Sequence, residues 1–225
     1  MLRAARAVVP AGTAVQAASI GATHAYLSRD EERHVVGAVP TRRREFAAGR
    51  AAARIALAQI GVDAPSIPAG PAREPVWPEG VVGSLSHDGD YCVAAVHWSS
   101  AVRAIGIDIA AAAPLDAALI DRICTHGERR ELARMSADVW ACDPYKIVFS
   151  AKEAVYKCLF ALSGSVFGFR AVHMRLDPAR GRASVRALHS AHGARAARLE
   201  CRFRVTPGYV VSGAWIEASA ASRAA

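Results

Sequence analysis

The chain has 225 residues, 52% of them hydrophobic and 21% charged, enough apolar mass for a buried core in one large domain or two of roughly 100 residues. Its formal net charge of +8 favours an anionic partner. However, the interleaved basic and aromatic repeats or zinc-finger and helix-turn-helix spacings of a nucleic-acid binder are missing. The five cysteines (Cys92, Cys124, Cys142, Cys158, Cys201) include no C-x-x-C pair. That spacing argues against a disulfide framework or a zinc site and suits a reducing cytoplasm. No run approaches the roughly 20 apolar residues of a membrane span.

In chain order, the first 29 residues carry no acid until Asp30. A transit peptide shares that composition, but "AVQAASIGATHAYL" (14–27) reads as a strand and loop of the domain. The stretch 41–61, "TRRREFAAGRAAARIALAQIG", predicts a helix capped by Thr41 and ended by Gly61. Phe46, Ala53, Leu57 and Ile60 form its core stripe, with Arg43, Arg50 and Arg54 beside it. A Pro/Gly-rich loop runs to Gly80. Strands follow at 81–85, 91–98 and 102–110, with "SHDGD" as the turn between the first two.

The second half opens with a helical stretch, 115–136, and a strong helix from Pro144 to Leu162 whose apolar face holds Ile147, Ala151, Ala154 and Cys158. "AVHMRL", "RASVRAL" and the hairpin-like pair "ARLECRFRV" and "YVVSGAWIE" complete the chain. The expected class is α+β: two similar halves, 1–102 and 103–225, each a helix on a small antiparallel sheet, without a sequence repeat between them.

Three clusters carry chemistry. Asp108 ends an apolar strand as a lone acid, a costly placement unless something uses the carboxylate. "FSAKEAVYK" crowds Lys152, Glu153, Tyr156 and Lys157 onto one helix. Glu153 and Lys157, four apart, share a face; as a mere surface pair they would contribute roughly 0.3–0.5 kcal/mol. "GSLSH" presents Ser86 and His87 at a strand end. Together, one Asp and one Glu can hold Mg²⁺, which takes one or two protein carboxylates and completes its shell with water and phosphate oxygens. Lys157 can then meet an anionic leaving group while His87 and the arginines hold other phosphates. No Walker loop, G-x-S-x-G or G-x-G-x-x-G is present. The residues by themselves lead to a metal-dependent phosphoryl-type transferase or hydrolase.

"RRREFAAGRAAARIAL", "PVWPEGVVGSLSH", "AIGIDIA", "FSAKEAVYK" and "SVFGF", in this order, resemble the 4′-phosphopantetheinyl transferases, in the branch of enterobactin synthase component D and the surfactin-type enzymes. The resemblance implies a pseudo-two-fold α+β enzyme binding coenzyme A between its halves. Such an enzyme transfers the 4′-phosphopantetheine arm to a serine of an acidic apo acyl or peptidyl carrier protein and releases 3′,5′-ADP. It implies Mg²⁺, with Mn²⁺ as a substitute, held by Asp108 and Glu153, with Glu153 also the general base and Lys157 at the leaving phosphate. Ser86, His87 and Lys152 would contact coenzyme A, Arg42 and Arg50 its 3′-phosphate, Arg73, Glu74 and Pro75 its adenine and ribose, and Phe167 the pantetheine tunnel. A cytoplasmic monomer without nucleic-acid or membrane partners is expected. The sequence departs from the family at one point: where Asp-x-Glu is common, the second acid is Ala110. That leaves either an active enzyme with weaker metal binding or an impaired homologue that binds coenzyme A or carrier.

Overall fold

The computed structural model describes residues 1–22, 25–188 and 193–219. The chain opens with a short helix, α1 (Leu2–Ala7), which no sequence signal marked. Strand β1 (Ala14–Ser19) follows; of the stretch expected to form strand and loop, Thr23 and His24 lie outside the described residues. After one turn of helix, α2 (Arg29–Glu32), comes the long helix α3 (Pro40–Gln59). It starts on Pro40, not at the expected Thr41 cap, because proline's fixed φ suits the first helical position and its missing N–H is needed there by nothing. Gly61, at φ 76°, turns the chain away.

Strand β2 (Val81–Asp88) runs three residues beyond the expected 81–85. It pairs antiparallel with β3 (Tyr91–Trp98) up to Asp88↔Tyr91, so the turn is only Gly89-Asp90, with Gly89 at φ 55°. Ser86, His87 and Asp88 therefore sit on a rigid strand, not in a loop. The first sheet has the order β1-β3-β2, and α3 packs on it through small residues, Ala48, Ala52, Ala53 and Ala56.

Strand β4 (Val102–Ala111) begins the second half. The expected single helix over 115–136 is two, α4 (Ala117–Ile123) and α5 (His126–Ala133). The break falls at Thr125, whose hydroxyl accepts from Glu128 N while the Glu128 carboxylate accepts from Thr125 N, a capping box that starts a new helix. Helix α6 (Pro144–Ser163) matches the expected span, with Asp143 capping one end and Gly164 in the left-handed region at the other. Then come β5 (Val172–Asp177), β6 (Arg182–Ala187), the short α7 (Gly193–Ala196), β7 (Glu200–Thr206) and β8 (Tyr209–Glu217). Their antiparallel sheet has the order β4-β8-β7-β6-β5. The fold is α+β in two halves, each a long helix on an antiparallel sheet.

The halves share a core in which Val8, Val15 and Val93 meet Ile105, Val211 and Trp215. Helix α6 lies so close on β4 that a Cβ at Gly106 would fall on the carbonyl oxygen of Ala154 and within 2.7 Å of Cys158 N. Gly106→Ala is expected to cost on the order of 1–3 kcal/mol of stability by overpacking. A shift in the denaturation midpoint worth less than about 0.5 kcal/mol, the scale of a neutral surface change, would contradict that close packing.

Each half also holds a buried acid of the same kind. Glu31, fully buried, closes a capping box with Ser28, accepts from Ile67 N at 2.9 Å and pairs with Arg54 of α3 at 2.7 Å. Glu128, also fully buried, closes the box with Thr125, accepts from Met174 N at 2.7 Å and pairs with Lys152 of α6 at 2.8 Å. In both, an acid at the start of a short helix binds a cation on the following long helix and a backbone N–H beyond it.

Candidate active site

Strands β2 and β4 run side by side along the seam between the halves, joined by side chains. Ser84 Oγ accepts from Ile107 N at 3.0 Å, Ser86 Oγ from Ile109 N at 3.2 Å and Asp88 Oδ2 from Ala111 N at 2.6 Å. Alternate residues of a strand share a face, so these three oxygens cap alternate N–H groups along one edge of β4. Helix α6 crosses beside them and presents Glu153, Tyr156, Lys157 and Phe160, a stripe at helical spacing.

At the centre is Asp108, 5% exposed. Its Oδ1 accepts from Lys157 Nζ at 2.8 Å and from Ser86 Oγ at 2.9 Å. Its Oδ2 is buried and has no hydrogen-bond partner. Glu153 lines the same recess, with Ala110, Asp88, His87 and Phe149. Burial pushes the Glu153 carboxyl pKa up and Asp108 adds to the rise, with Lys157 opposing them. Ala110 is buried in the wall of this recess, on the same face as Asp108.

These residues fit a divalent cation. A bare, buried carboxylate oxygen is costly unless a cation takes it, and a second carboxylate stands in the same recess. Among the described residues no group of three His, Cys, Asp or Glu side chains is placed to hold an ion. An ion here would have to be one such as Mg²⁺ or Mn²⁺ that needs few protein ligands when water and phosphate oxygens supply the rest.

Lys157 spends its donors on Asp108 Oδ1, Ser86 Oγ (3.0 Å) and Ile107 O (3.0 Å), so it must release one of them to meet a phosphate. Ser86 is also saturated: it donates to Asp108 and accepts from Ile109 N and Lys157. Ser86 therefore supports Asp108 from the wall of the recess, where its expected phosphate contact would require it to exchange one of these bonds. Arg42 reaches from α3 to His87, its Nη1 2.7 Å from His87 Nε2. A guanidinium only donates, so Nε2 is the acceptor and the ring proton sits on Nδ1, 3.6 Å from Glu45. Burial lowers the His87 pKa against the opposing pull of Glu45, consistent with a neutral ring.

Lys152 does not face the cleft with its ammonium. The side chain is 1% exposed, and Nζ donates to Glu128 and to Ile123 O, both at 2.8 Å. Its ammonium is thus held in a buried ion pair, about 100° around the helix from Glu153, while the rest of the side chain lines the Phe167 pocket. Arg50 is 4% exposed, donates from Nε to Ile67 O at 2.6 Å and stacks on Phe46. Burial lowers its pKa to about 10, and its Nη2 is buried without a hydrogen-bond partner.

Next to the Asp108 recess a larger cleft of about 520 Å³ is lined by Arg73, Glu74, Pro75, Trp77, Arg103, Tyr156, Lys157 and Phe160. Arg73, at φ 67°, sits at the tip of a tight turn in which Arg73 N donates to Gly70 O and Gly70 N to Glu74 O. A smaller apolar pocket on the other side of Tyr156 holds Phe167, Val166 and Phe169 and shares Glu153. Arg73, Glu74, Pro75, His87, Asp108, Glu153, Lys157 and Phe167 thus line adjoining cavities, with Arg42 reaching the rim through His87. Sequence reading missed Asp88, Trp77, Arg103 and Phe160. The i, i+3, i+4, i+7 spacing of Glu153, Tyr156, Lys157 and Phe160 was the signal that would have found the last.

The profile described as "4′-phosphopantetheinyl transferase N-terminal domain" matches residues 30–97, and that of the "4′-phosphopantetheinyl transferase superfamily" matches 104–211, leaving only 98–103 between them. The chain belongs to the 4′-phosphopantetheinyl transferase superfamily. Over 143 residues it is 38% identical to the 4′-phosphopantetheinyl transferase PptT of Mycobacterium tuberculosis, covering 64% of this chain and 62% of the relative. Over 147 residues it is 36% identical to the transferase Npt of Nocardia iowensis, covering 65% of each. Enterobactin synthase component D of Escherichia coli is 38% identical over 119 residues, 52% of this chain and 54% of the relative. The chain therefore spans just under two thirds of the first two superfamily relatives and about half of the third.

Proposed function

We propose that the protein transfers the 4′-phosphopantetheine arm of coenzyme A to a serine of an acidic apo acyl or peptidyl carrier protein. The observation that supports this most is the bare Asp108 Oδ2, set beside Glu153 and Lys157 where the recess joins the Arg73–Trp77–Tyr156 cleft.

Asp108 and Glu153 would hold Mg²⁺ or Mn²⁺, which when bound neutralises pyrophosphate charge and polarises the phosphorus. Glu153, its basicity raised by burial, takes the proton of the carrier serine hydroxyl. The serine oxygen bonds to the phosphorus that carries pantetheine, and the bond from that phosphorus to the bridging oxygen breaks. The electron pair leaves with 3′,5′-ADP, whose new phosphate charge Lys157 meets. Arg42, Arg50 and His87 hold the 3′-phosphate side, Arg73, Glu74 and Pro75 the adenosine, and the Phe167 pocket the pantetheine. The nucleophile belongs to the partner. The net charge of +8 speeds encounter with acidic partners. No helix among the described residues is long and apolar enough to cross a membrane, and all five cysteines are free. A cytoplasmic monomer is part of the proposal, as is the division into halves 1–102 and 103–225, although β4 already opens at Val102.

A second reading, a coenzyme A- or carrier-binding homologue with little turnover, rests on Ala110. Incubation with apo carrier, coenzyme A and Mg²⁺, followed by intact mass measurement of the carrier, separates the two. The transferase reading expects the phosphopantetheine increment on the carrier. Measurable coenzyme A binding with no modified carrier, across several acidic carriers, would favour the second.

A further inference from the structure

The proposed metal site has one carboxylate fewer than the Asp-x-Glu pattern, and the strand beside it carries an acid that the pattern does not include. Ser86 of β2 accepts from Ile109 N and touches the Asp108 side chain at 2.9 Å. Two residues further along both strands, Asp88 accepts from Ala111 N at 2.6 Å. Asp88 therefore stands to position 110 as Ser86 stands to Asp108. A side chain longer than alanine at 110 would meet the Asp88 carboxylate.

Asp88 lines the same recess as Asp108, Ala110 and Glu153. Its Oδ2 is tied to Ala111 N, whereas Oδ1 has no hydrogen-bond partner among the described residues. The recess also contains the buried, unpartnered Oδ2 of Asp108, which itself calls for a cation.

We propose that Asp88 supplies, from the neighbouring strand, the negative charge that Ala110 leaves out, acting on the metal through a bound water. The inference rests on the metal reading of Asp108 and Glu153. The link is drawn through a water because Asp88 already commits Oδ2 to Ala111 N, and no three acidic, His or Cys side chains among the described residues form one ligand group. Mg²⁺ and Mn²⁺ retain waters, and a carboxylate that accepts from a metal-bound water both orients it and adds to affinity. Ala110 and Asp88 are then a matched pair: with Asp88 in place, a second acid at 110 would put two carboxylates against each other.

The test is a Mn²⁺ titration, followed by the resonance of free Mn²⁺, of the protein saturated with coenzyme A, with coenzyme A alone as blank. Asp88→Asn keeps an oxygen for Ala111 N and removes only the charge. It is expected to weaken Mn²⁺ binding about 10-fold, in line with the loss of an outer-sphere partner, without lowering the metal-free unfolding temperature. Asp108→Asn is expected to weaken it at least as much. Ala110→Glu is expected to restore binding when combined with Asp88→Asn and to add little in the native background, a coupling that marks a shared site. Native titration by Asp88→Asn beside a defective Asp108→Asn would overturn the role of Asp88 and leave the metal reading standing. Equal gains from Ala110→Glu in both backgrounds would also overturn it. No Mn²⁺ binding by the native protein would remove both readings.

Discussion

Glu153→Gln is expected, on the proposed function, to lower carrier modification by roughly 10²- to 10⁴-fold, the range that a positioned general base contributes. Under the proposed roles the substitution removes the proton acceptor and one of two metal carboxylates while leaving the shape of α6 unchanged. Near-native turnover in the glutamine variant would sink both roles. A second signature is carried by stability. Burial raises the Glu153 pKa, so the folded state holds this proton more tightly than the unfolded chain does, and ionisation costs the fold. Above the raised pKa the metal-free glutamine variant is therefore more stable than the native protein. The advantage fades as pH falls and is gone below the ordinary carboxylate value of 4.5, where Glu153 is protonated in both states. Thermal unfolding of both proteins across that interval would reveal it. Equal unfolding temperatures at neutral pH would mean that Glu153 is not strained in the recess. A carboxylate that burdens the fold and serves the reaction is a common trade at active sites.

Glu128→Ala has the largest expected effect on stability, a loss of about 3–5 kcal/mol, because it strands a buried ammonium. Lys152 would be left with Ile123 O alone, and Thr125 N and Met174 N would lose their acceptor. Burial already holds the Lys152 pKa below its ordinary value, with Glu128 the main influence in the other direction. Replacing Lys152 by methionine in the same chain recovers part of the loss by removing the orphaned charge, although the two N–H groups stay unmet. A denaturant midpoint displaced by less than about 1 kcal/mol in Glu128→Ala would show that water reaches the ammonium.

The elements with local punctuation were legible in the sequence. Asp143-Pro144 and Gly164 bracket α6, and β8 coincides with "YVVSGAWIE" because alternation and turn residues specify it. The split between α4 and α5 was also written there, as T-x-x-E at 125–128, but apolar periodicity across the break concealed it. The length of β2 was hidden because "SHDGD" is polar enough to pass for a turn, whereas two residues, Gly89 and Asp90, suffice for the hairpin. Of the site, Asp108, Glu153 and Lys157 were legible from charge and spacing. The engagement of the Lys152 ammonium by Glu128 was hidden, because it depends on a partner 24 residues away that the local motif does not show. Asp88 and the supporting role of Ser86 were out of reach, for both depend on the lateral register of two strands from different halves, which no local pattern encodes.

The two buried acids, Glu31 and Glu128, bear on how such a cleft is built. Their cations follow at nearly the same distance along the chain, 23 residues to Arg54 and 24 to Lys152. The same anchoring arrangement occurs in both halves, and each secures its long helix through an acid set apart from Asp108 and Glu153. The halves are therefore at liberty to diverge where they meet. On the proposed reading, one turns its helix toward Arg42 and Arg50, the other toward Glu153 and Lys157. Specialisation of this kind lets the seam change its chemistry while the two anchors stay the same.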